Sequence, residues 1–185
     1  LLLHTDPTDS EGPNLYSTVE GLGIIDNVFF SRDRLEFEKI NILHNLADCY
    51  VNISFAEGFG LGTLEAMQCG VPIVATKTGG MIRQVVDHRD GTENGVALEV
   101  ELKTLVGSQQ VPYIYEDYVS CESVANGFMK LYELGPEERK KLGQKARDYA
   151  LSEFNIFDTV NDWHDSLLET IERFKSEKKW TIEQL

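Results

Sequence analysis

Residues 57–65 read Glu57-Gly58-Phe59-Gly60-Leu61-Gly62-Thr63-Leu64-Glu65, two carboxylates around a turn with three glycines. An apolar run precedes this stretch, and an apolar pattern with helical spacing follows it. Glycine allows positive φ and lets backbone N–H groups come close to a ligand. A helix that begins near Gly62 presents free N–H groups and the positive end of its dipole, which together bind anions such as phosphate. Glu65, about one turn into that helix, is predicted to accept hydrogen bonds from sugar hydroxyls.

Strand and helix signals alternate through the first half of the chain, which is the pattern of a parallel sheet covered by helices. Gly70 and Pro72 end one predicted helix, since glycine directly after a helix and proline beyond it are stop signals. The sequence therefore predicts an α/β fold with helices on both faces of a parallel sheet. Strands are predicted near residues 1–3, 27–30, 49–55, 71–75 and 95–100, and helices near residues 15–22, 35–46, 62–69 and 81–86.

Residues 99–116 interrupt this alternation. Residues 100–106 alternate apolar and polar side chains, Gly107-Ser108 favours a turn, and residues 111–115 are rich in strand-forming types. The pattern predicts a hairpin-like insertion. Its role is either structural decoration or a lid beside a ligand site.

Three helices are predicted after the insertion, at residues 117–133, from Pro136 onward, and at 157–174. Proline suits the first helical position, and the acidic residues that follow it suit the positive end of the dipole. The last helix carries an apolar stripe, for which we expect core or interdomain contacts rather than a ligand. Residues 175–185 are predicted to form a charged tail. The stripe consists of Val160, Trp163, Leu167, Leu168 and Ile171.

Composition excludes several classes of protein. The 185 residues carry a net charge of −14, and the pI near 4.6 disfavours non-specific binding to nucleic acid or to an anionic bilayer. No apolar stretch approaches the roughly 20 residues of a membrane-spanning helix. The three cysteines, Cys49, Cys69 and Cys121, are widely spaced without a CxxC pair. They indicate reduced, mostly buried thiols in a cytoplasmic protein rather than a zinc site or a catalytic thiol.

The quoted stretch also carries a family resemblance. Two glutamates that bracket seven residues, with Gly-Phe-Gly after the first, resemble the donor-site motif of retaining GT-B glycosyltransferases, particularly glycosyltransferase family 4. Residues 45–54 resemble the ADxxVxPS strand of that family, and residues 65–75 resemble its EAMAxGxPVVA helix and strand. Thr78-Gly79-Gly80 and Asn94-Gly95 match two further landmarks of the family. The likeness covers roughly residues 1–98 and 117–173.

The resemblance implies the Rossmann-like C-terminal domain of a GT-B fold, which binds a nucleotide-sugar donor. It implies that Glu57 lies near the hydroxyls of the transferred sugar, and we take this carboxylate as the candidate catalytic residue. Backbone amides around Phe59, Gly60 and Leu61 are expected to touch the same sugar. The family transfers a hexose with retention of configuration and without a metal or other cofactor, so no metal ligands are expected.

The rest of the donor is assigned in the same way. The resemblance implies that amides around Thr63 and Leu64 hold the distal phosphate and that Glu65 binds the ribose. Charge on the leaving pyrophosphate is then stabilised by preorganised N–H groups and basic side chains. The donor is expected to be linked to UDP or GDP.

Four further residues are candidates with open alternatives. Arg32 lies where family members contact the base or phosphate, or is a solvated loop residue. Gly79 and Gly80 either bring N–H groups to the ligand or begin a helix. Lys77 ends a strand on the ligand side of the sheet and either faces the pyrophosphate or water. Arg83 departs from the glutamate that many family members carry there.

The chain is expected to be part of a larger protein. It begins with Leu1-Leu2-Leu3-His4, which resembles the second strand of the family's domain rather than its first. We therefore predict a truncated donor-binding domain over residues 1–174, inactive without the N-terminal domain of a GT-B enzyme. The acceptor implied is a glycan or glycolipid of polysaccharide biosynthesis. The alternatives are a non-catalytic nucleotide-sugar-binding or regulatory module and another GT-B sugar enzyme.

Overall fold

The computed structural model describes residues 1–10 and 12–177, with the backbone alone at Phe37. The chain forms two compact units, Leu1–Ile40 and Asn41–Leu185. The predicted domain limits at 174 remain a prediction. Residues 178–185 of the predicted tail lie outside the described residues.

The first unit contains two parallel strands and one helix. Strand β1 (Leu2–His4) pairs with β2 (Phe29–Ser31), and Leu3 lies opposite Phe30. Helix α1 (Leu15–Gly21) begins where the Asn14 side chain accepts a hydrogen bond from the Ser17 N–H at 3.1 Å. The strand predicted from residue 27 begins two residues later, because Ile25–Asn27 form a 3₁₀ turn. Helix α2 comprises Phe37–Leu46.

The second unit is built on a parallel sheet of three strands in the order β3 (Tyr50–Asn52), β4 (Ile73–Thr76), β5 (Val96–Leu98). The connections contain helices α3 (Leu61–Gln68) and α4 (Ile82–Val85). Gly70 ends α3 at φ 75°, as predicted, because a left-handed residue there suits glycine. Strands β3 and β5 are three or four residues shorter than predicted, whereas β4 spans four residues against the predicted five.

Helices cover both faces of this sheet, as predicted. In β4, Ile73 and Ala75 belong to one buried cluster and Val74 to another. Neighbouring residues of a strand point to opposite faces, so the two clusters lie on opposite sides of the sheet. The first cluster includes Met67 of α3 and Tyr149 of helix α6 (Gly135–Glu153).

The second cluster includes Leu131 of helix α5 (Cys121–Glu133). Helix α5 begins four residues later than predicted, because residues up to 118 belong to a strand. Ser120 caps its N-terminus by accepting the Ser123 N–H at 3.1 Å. Pro136 lies in the first turn of α6, as predicted.

The insertion is an antiparallel hairpin, as predicted. Strand β6 (Leu102–Leu105) pairs with β7 (Tyr115–Tyr118), and Leu102 lies opposite Tyr118. The second strand falls later than the predicted 111–115, since residues 106–114 form the connection. This hairpin is the reason that Asp117 is in a strand rather than in α5.

The last helix, α7 (Ile156–Ser176), corrects one prediction. Its apolar stripe was expected to contact the core or another domain, yet α7 buries none of its residues within the described chain. Trp163 is 65% exposed. The core alternative is therefore wrong for the described residues. None of the helices described here is long and apolar enough to cross a membrane.

Candidate functional site

The glycine-rich turn lies at the carboxyl end of β3 and leads into α3. Gly60, at φ 90°, is the N-cap of α3. A side chain at Gly60 would have its Cβ 2.9 Å from Met81 Cγ, so both the backbone angle and the space require glycine. The Gly60 N–H donates to Glu57 Oε1 at 3.2 Å. One oxygen of this half-buried carboxylate thus closes the turn.

The first amides of α3, the N–H groups of Leu61, Gly62 and Thr63, have no hydrogen-bond acceptor within the described fold. The Leu64 N–H, in contrast, already donates to the Gly60 carbonyl at 3.0 Å. Three free N–H groups at the positive end of a helix are the arrangement that binds phosphate in proteins.

The side chains on α3 divide by exposure. Thr63 is fully buried, its backbone included, and its hydroxyl accepts from Asn52 Nδ2 at 3.2 Å. Leu64 packs against the buried cluster that contains Met67. Leu61 is exposed. Phe59, in the turn, is also exposed and contacts Phe154 edge to face at 5.7 Å between ring centroids.

Gly79 and Gly80 lie against the glycine-rich turn. The Gly80 N–H donates to the Gly58 carbonyl at 3.2 Å, and a Cβ at Gly80 would lie 2.7 Å from Phe59 Cα. A Cβ at Gly79 would overlap the Glu57 carbonyl. These glycines therefore let two loops touch, and the 3₁₀ turn Gly79–Met81 leads into α4. The geometry of Gly79 and Gly80 therefore matches the second alternative given by the sequence, in which these glycines begin a helix.

Buried Gln84 of α4, the helix that follows Gly79 and Gly80, binds the glycine-rich turn through its side chain. Its Nε2 donates to the Phe59 carbonyl at 2.6 Å, while its Oε1 has no partner within the described residues. Asn94 donates in turn to the Gln84 carbonyl at 3.0 Å. Asn94, the first residue of the Asn94-Gly95 landmark, thus supports the glycine-rich turn indirectly, through Gln84.

Glu65 lies beside an imidazole and a phenol. Its Oε2 is 3.6 Å from His44 Nε2, and the Tyr50 ring lies 5.4 Å from the His44 ring between centroids. Burial raises the pKa of the Tyr50 hydroxyl above its ordinary value, and the negative charges of Glu65 and Glu57 raise it further. Tyr50 therefore stays protonated and neutral beside the two carboxylates.

The hairpin is tied to both site loops by Asp117. The Asp117 N–H donates to the Phe55 carbonyl at 2.7 Å, just before the glycine-rich turn. The Thr78 hydroxyl donates to Asp117 Oδ2 at 2.7 Å, just before Gly79. This bond, together with Lys103, whose Nζ is 3.2 Å from Oδ1, lowers the pKa of Asp117 although burial opposes the change. Lys77, the candidate pyrophosphate cation, pairs with Glu99 at 2.7 Å.

Arg32 belongs to the first unit. It is exposed, and its Nη1 donates to the Tyr16 hydroxyl at 3.2 Å. An open cavity of about 520 Å³ beyond the ends of β1 and β2 is lined by Asp6, Phe30, Ser31, Arg32 and Asp33. Ligands of α/β sheets bind at the carboxyl ends of the strands, where this cavity lies.

Sequence reasoning missed His44, Tyr50, Gln84 and Asp117. His44 stands in a helical pattern, and Tyr50 begins an apolar strand, so neither position differs from a core residue in its spacing. Gln84 gave no sequence signal either, because the burial that makes its amide require specific partners is visible only in the structure.

Comparison with known proteins gives one family. Residues 11–104, just over half of the chain, match the family described as "Glycosyl transferases group 1". A D-inositol 3-phosphate glycosyltransferase 2 of Catenulispora acidiphila is 36% identical over 83 residues, which are 45% of this chain and 19% of that protein. The chain therefore spans about a fifth of that relative's length.

Two solved structures resemble the chain over most of its residues. The C-terminal domain of a glycosyl transferase group 1 family protein from Francisella tularensis is 25% identical with a TM-score of 0.57, covering 77% of this chain and 61% of that one. The HepE protein of Anabaena, in complex with UDP-glucose, is 23% identical with a TM-score of 0.66, covering 91% and 40%.

Proposed function

Since this chain belongs to the glycosyl transferases group 1 family and has the fold of a GT-B C-terminal domain, we propose that it binds the donor of a retaining, family 4-like hexosyltransferase. The donor is a nucleoside-diphosphate sugar linked to UDP or GDP, and the acceptor is a glycan or a lipid-linked glycan of polysaccharide biosynthesis. The observation that carries this proposal is the set of three unbonded N–H groups at the start of α3, between Glu57 and Glu65.

The proposed binding mode follows from that geometry. The amides of Leu61 and Gly62, which lie at the surface, receive a phosphate of the donor, with the buried Thr63 amide directly behind them, and the dipole of α3 adds to their attraction. Glu65 accepts hydrogen bonds from the ribose. Glu57 uses one oxygen for the Gly60 N–H and keeps the other for a hydroxyl of the transferred sugar. The UDP-glucose bound by HepE, which shares this fold, supports a nucleotide-sugar donor.

In the proposed transfer, an acceptor hydroxyl forms a bond to the anomeric carbon of the sugar as the bond from that carbon to the phosphate oxygen breaks, and the hydroxyl proton passes to the leaving diphosphate. As the bond from sugar to phosphate breaks, negative charge grows on the leaving pyrophosphate. N–H groups that are already fixed in place stabilise that charge more than water does, because they need not reorganise. The chain carries a net charge of −14, which repels an anionic ligand. The local positive potential at the start of α3 is therefore what makes binding of such a ligand favourable.

The same proposal extends to the whole protein. The exposed stripe of α7 is proposed to contact an N-terminal domain, which supplies the acceptor site and without which the domain does not turn over. Three free cysteines support a cytoplasmic location, where thiols remain reduced.

The test is a calorimetric titration with UDP, GDP and their hexose conjugates. One nucleotide is expected to bind saturably, and Glu65→Ala should weaken it about tenfold or more, because a hydrogen bond to a charged group contributes roughly 1.5–3 kcal/mol. Glu133→Ala, at an exposed carboxylate on α5, is the matched control and should leave the affinity unchanged. Equal affinities in native protein and Glu65→Ala would contradict the assignment of the ribose to Glu65.

A further inference from the structure

His44 is a buried histidine whose Nε2 faces Glu65, a residue of the proposed donor site. The residue is 8% exposed, and Nε2 has no hydrogen-bond partner within the described residues. The carboxylate of Glu65 is the group it faces, with Oε2 at 3.6 Å. The Tyr50 ring also packs against the imidazole, through a tilted aromatic contact.

A buried ring nitrogen without a hydrogen-bond partner is unusual for a histidine whose only role is packing. Buried polar atoms are nearly always hydrogen-bonded, because burial without a partner forfeits their bonds to water. An ionised carboxylate only accepts hydrogen bonds, so the contact is favourable when Nε2 carries a proton. A distance of 3.6 Å is slightly longer than a hydrogen bond. A small rotation of Glu65, whose side chain is one third exposed, closes the gap.

We propose that His44 is a positioning residue for Glu65 in nucleotide binding. His44 Nε2 holds Oε2 of Glu65, and the second carboxylate oxygen is left to accept from the ribose hydroxyls. Without this contact the carboxylate has other rotamers available, and ordering it at each binding event costs affinity. This inference rests on the proposed function, because it concerns the ribose contact assigned to Glu65.

The choice of ligand separates this role from general structural support. UDP and its dideoxy analogue, which lacks both ribose hydroxyls, present the same base and the same pyrophosphate. The ratio of their dissociation constants measures the ribose contact alone. If GDP is the preferred nucleotide, the corresponding guanosine pair replaces them.

Three proteins are compared by calorimetry: the native chain, His44→Phe and His44→Gln. The native chain should prefer UDP over the dideoxy analogue by about tenfold or more, as expected for hydrogen bonds to a charged group. His44→Phe should lose most of that preference while its affinity for the dideoxy analogue stays unchanged. His44→Gln, which retains an N–H donor, should recover it.

Other results overturn the inference in distinguishable ways. A native preference that survives in His44→Phe overturns the positioning role and leaves the proposed function intact. An equal loss of both ligands in His44→Phe means that His44 only supports the fold. Failure of the native chain to bind any nucleotide overturns the proposed function together with the inference.

A measurement on the native chain covers the case in which the variants do not fold. The imidazole signals of His44 in an NMR titration should shift with UDP and not with the dideoxy analogue. Equal shifts with both ligands would overturn the positioning role.

Discussion

Gly62 is a glycine because of a neighbouring side chain and not because of its backbone conformation. Its φ is not positive, so any residue could adopt its conformation. A Cβ there would, however, overlap the hydroxyl of Tyr50 and lie 3.2 Å from Tyr50 Cζ. Gly62 therefore lets a tyrosine from β3 reach the start of α3, next to the free amides.

Gly62→Ala is expected to destabilise the fold, since an overpacked atom costs about 1–3 kcal/mol. The same substitution in a Tyr50→Phe background should cost much less, because removing the hydroxyl leaves only the ring carbon near the new methyl. Urea unfolding of the four proteins in this cycle measures the difference. If Gly62→Ala costs the same in both backgrounds, the tyrosine hydroxyl is not the reason for the glycine.

Asp87 is a second residue whose environment leads to a test. Its carboxylate accepts from Arg89 Nε and Nη2 at 2.9 and 2.7 Å. These bonds lower the pKa of Asp87 from 3.8 to about 2, and burial opposes the change. Arg89 in turn lies over the Tyr149 ring at 4.7 Å from its centroid. The turn after α4 is thereby fastened to α6.

Stability is expected to depend on this carboxylate in acid. Because its pKa is lower in the folded chain than in the unfolded one, the unfolded chain binds more protons, and the stabilisation is full above 3.8 and lost as the pH falls toward about 2. Asp87→Asn should therefore lose less of its thermal midpoint across that window than the native chain. Asp165→Asn, on exposed α7, should follow the native profile. Parallel profiles for native and Asp87→Asn would refute this linkage.

At the scale of elements, the hairpin β6–β7 acts on the site through a small number of contacts. Besides the two bonds of Asp117, Tyr118 stacks on Phe55 at 4.3 Å between ring centroids. The hairpin thereby holds the chain just before the glycine-rich turn and just before Gly79. Of the two roles left open by the sequence, structural support is the one that these contacts favour.

Asp117→Ala is expected to destabilise the chain by about 1–3 kcal/mol, because it leaves the buried Thr78 hydroxyl without its acceptor. Asp117→Asn keeps an acceptor oxygen and should lose less. A double-mutant cycle with Thr78→Val, measured by urea unfolding, isolates the pair. Simple additivity of the two single changes would indicate that the bond does not couple the loops.

At the scale of the whole molecule, most of the buried apolar residues in the described part of the chain belong to the second unit. The two buried clusters belong to the three-stranded sheet and to α3, α4, α5 and α6. Helix α7 contributes nothing to them, although its sequence is amphipathic and Asn155 caps it well. Exposed apolar stripes of this kind are typical of surfaces that contact another protein or domain.

Trp163→Ser is therefore expected to change the free energy of unfolding by less than about 0.5 kcal/mol, as surface substitutions do. Leu131→Ala, at a residue that is 2% exposed on α5, is the contrasting change and should cost about 2–5 kcal/mol. Chemical unfolding measures both. A large loss from Trp163→Ser would mean that α7 packs onto the fold in solution.

Local sequence patterns are enough to predict the order of elements, the glycine-rich turn and the presence of the hairpin. These follow from local rules: Gly60 and Gly70 supply left-handed conformations, Pro136 suits a helix start, and alternation marks strands. Boundaries shifted by a few residues, because apolar runs extend beyond the paired part of each short strand.

Tertiary structure alone decided which groups meet at the end of the sheet. The Thr78–Asp117 bond joins residues 39 positions apart, and His44 reaches Glu65 from a helix that precedes the strand. No local pattern encodes such contacts, since they depend on which loops the parallel strands bring to one edge. Exposure of α7 was likewise invisible in its sequence, because an amphipathic stripe has the same spacing whether or not something covers it.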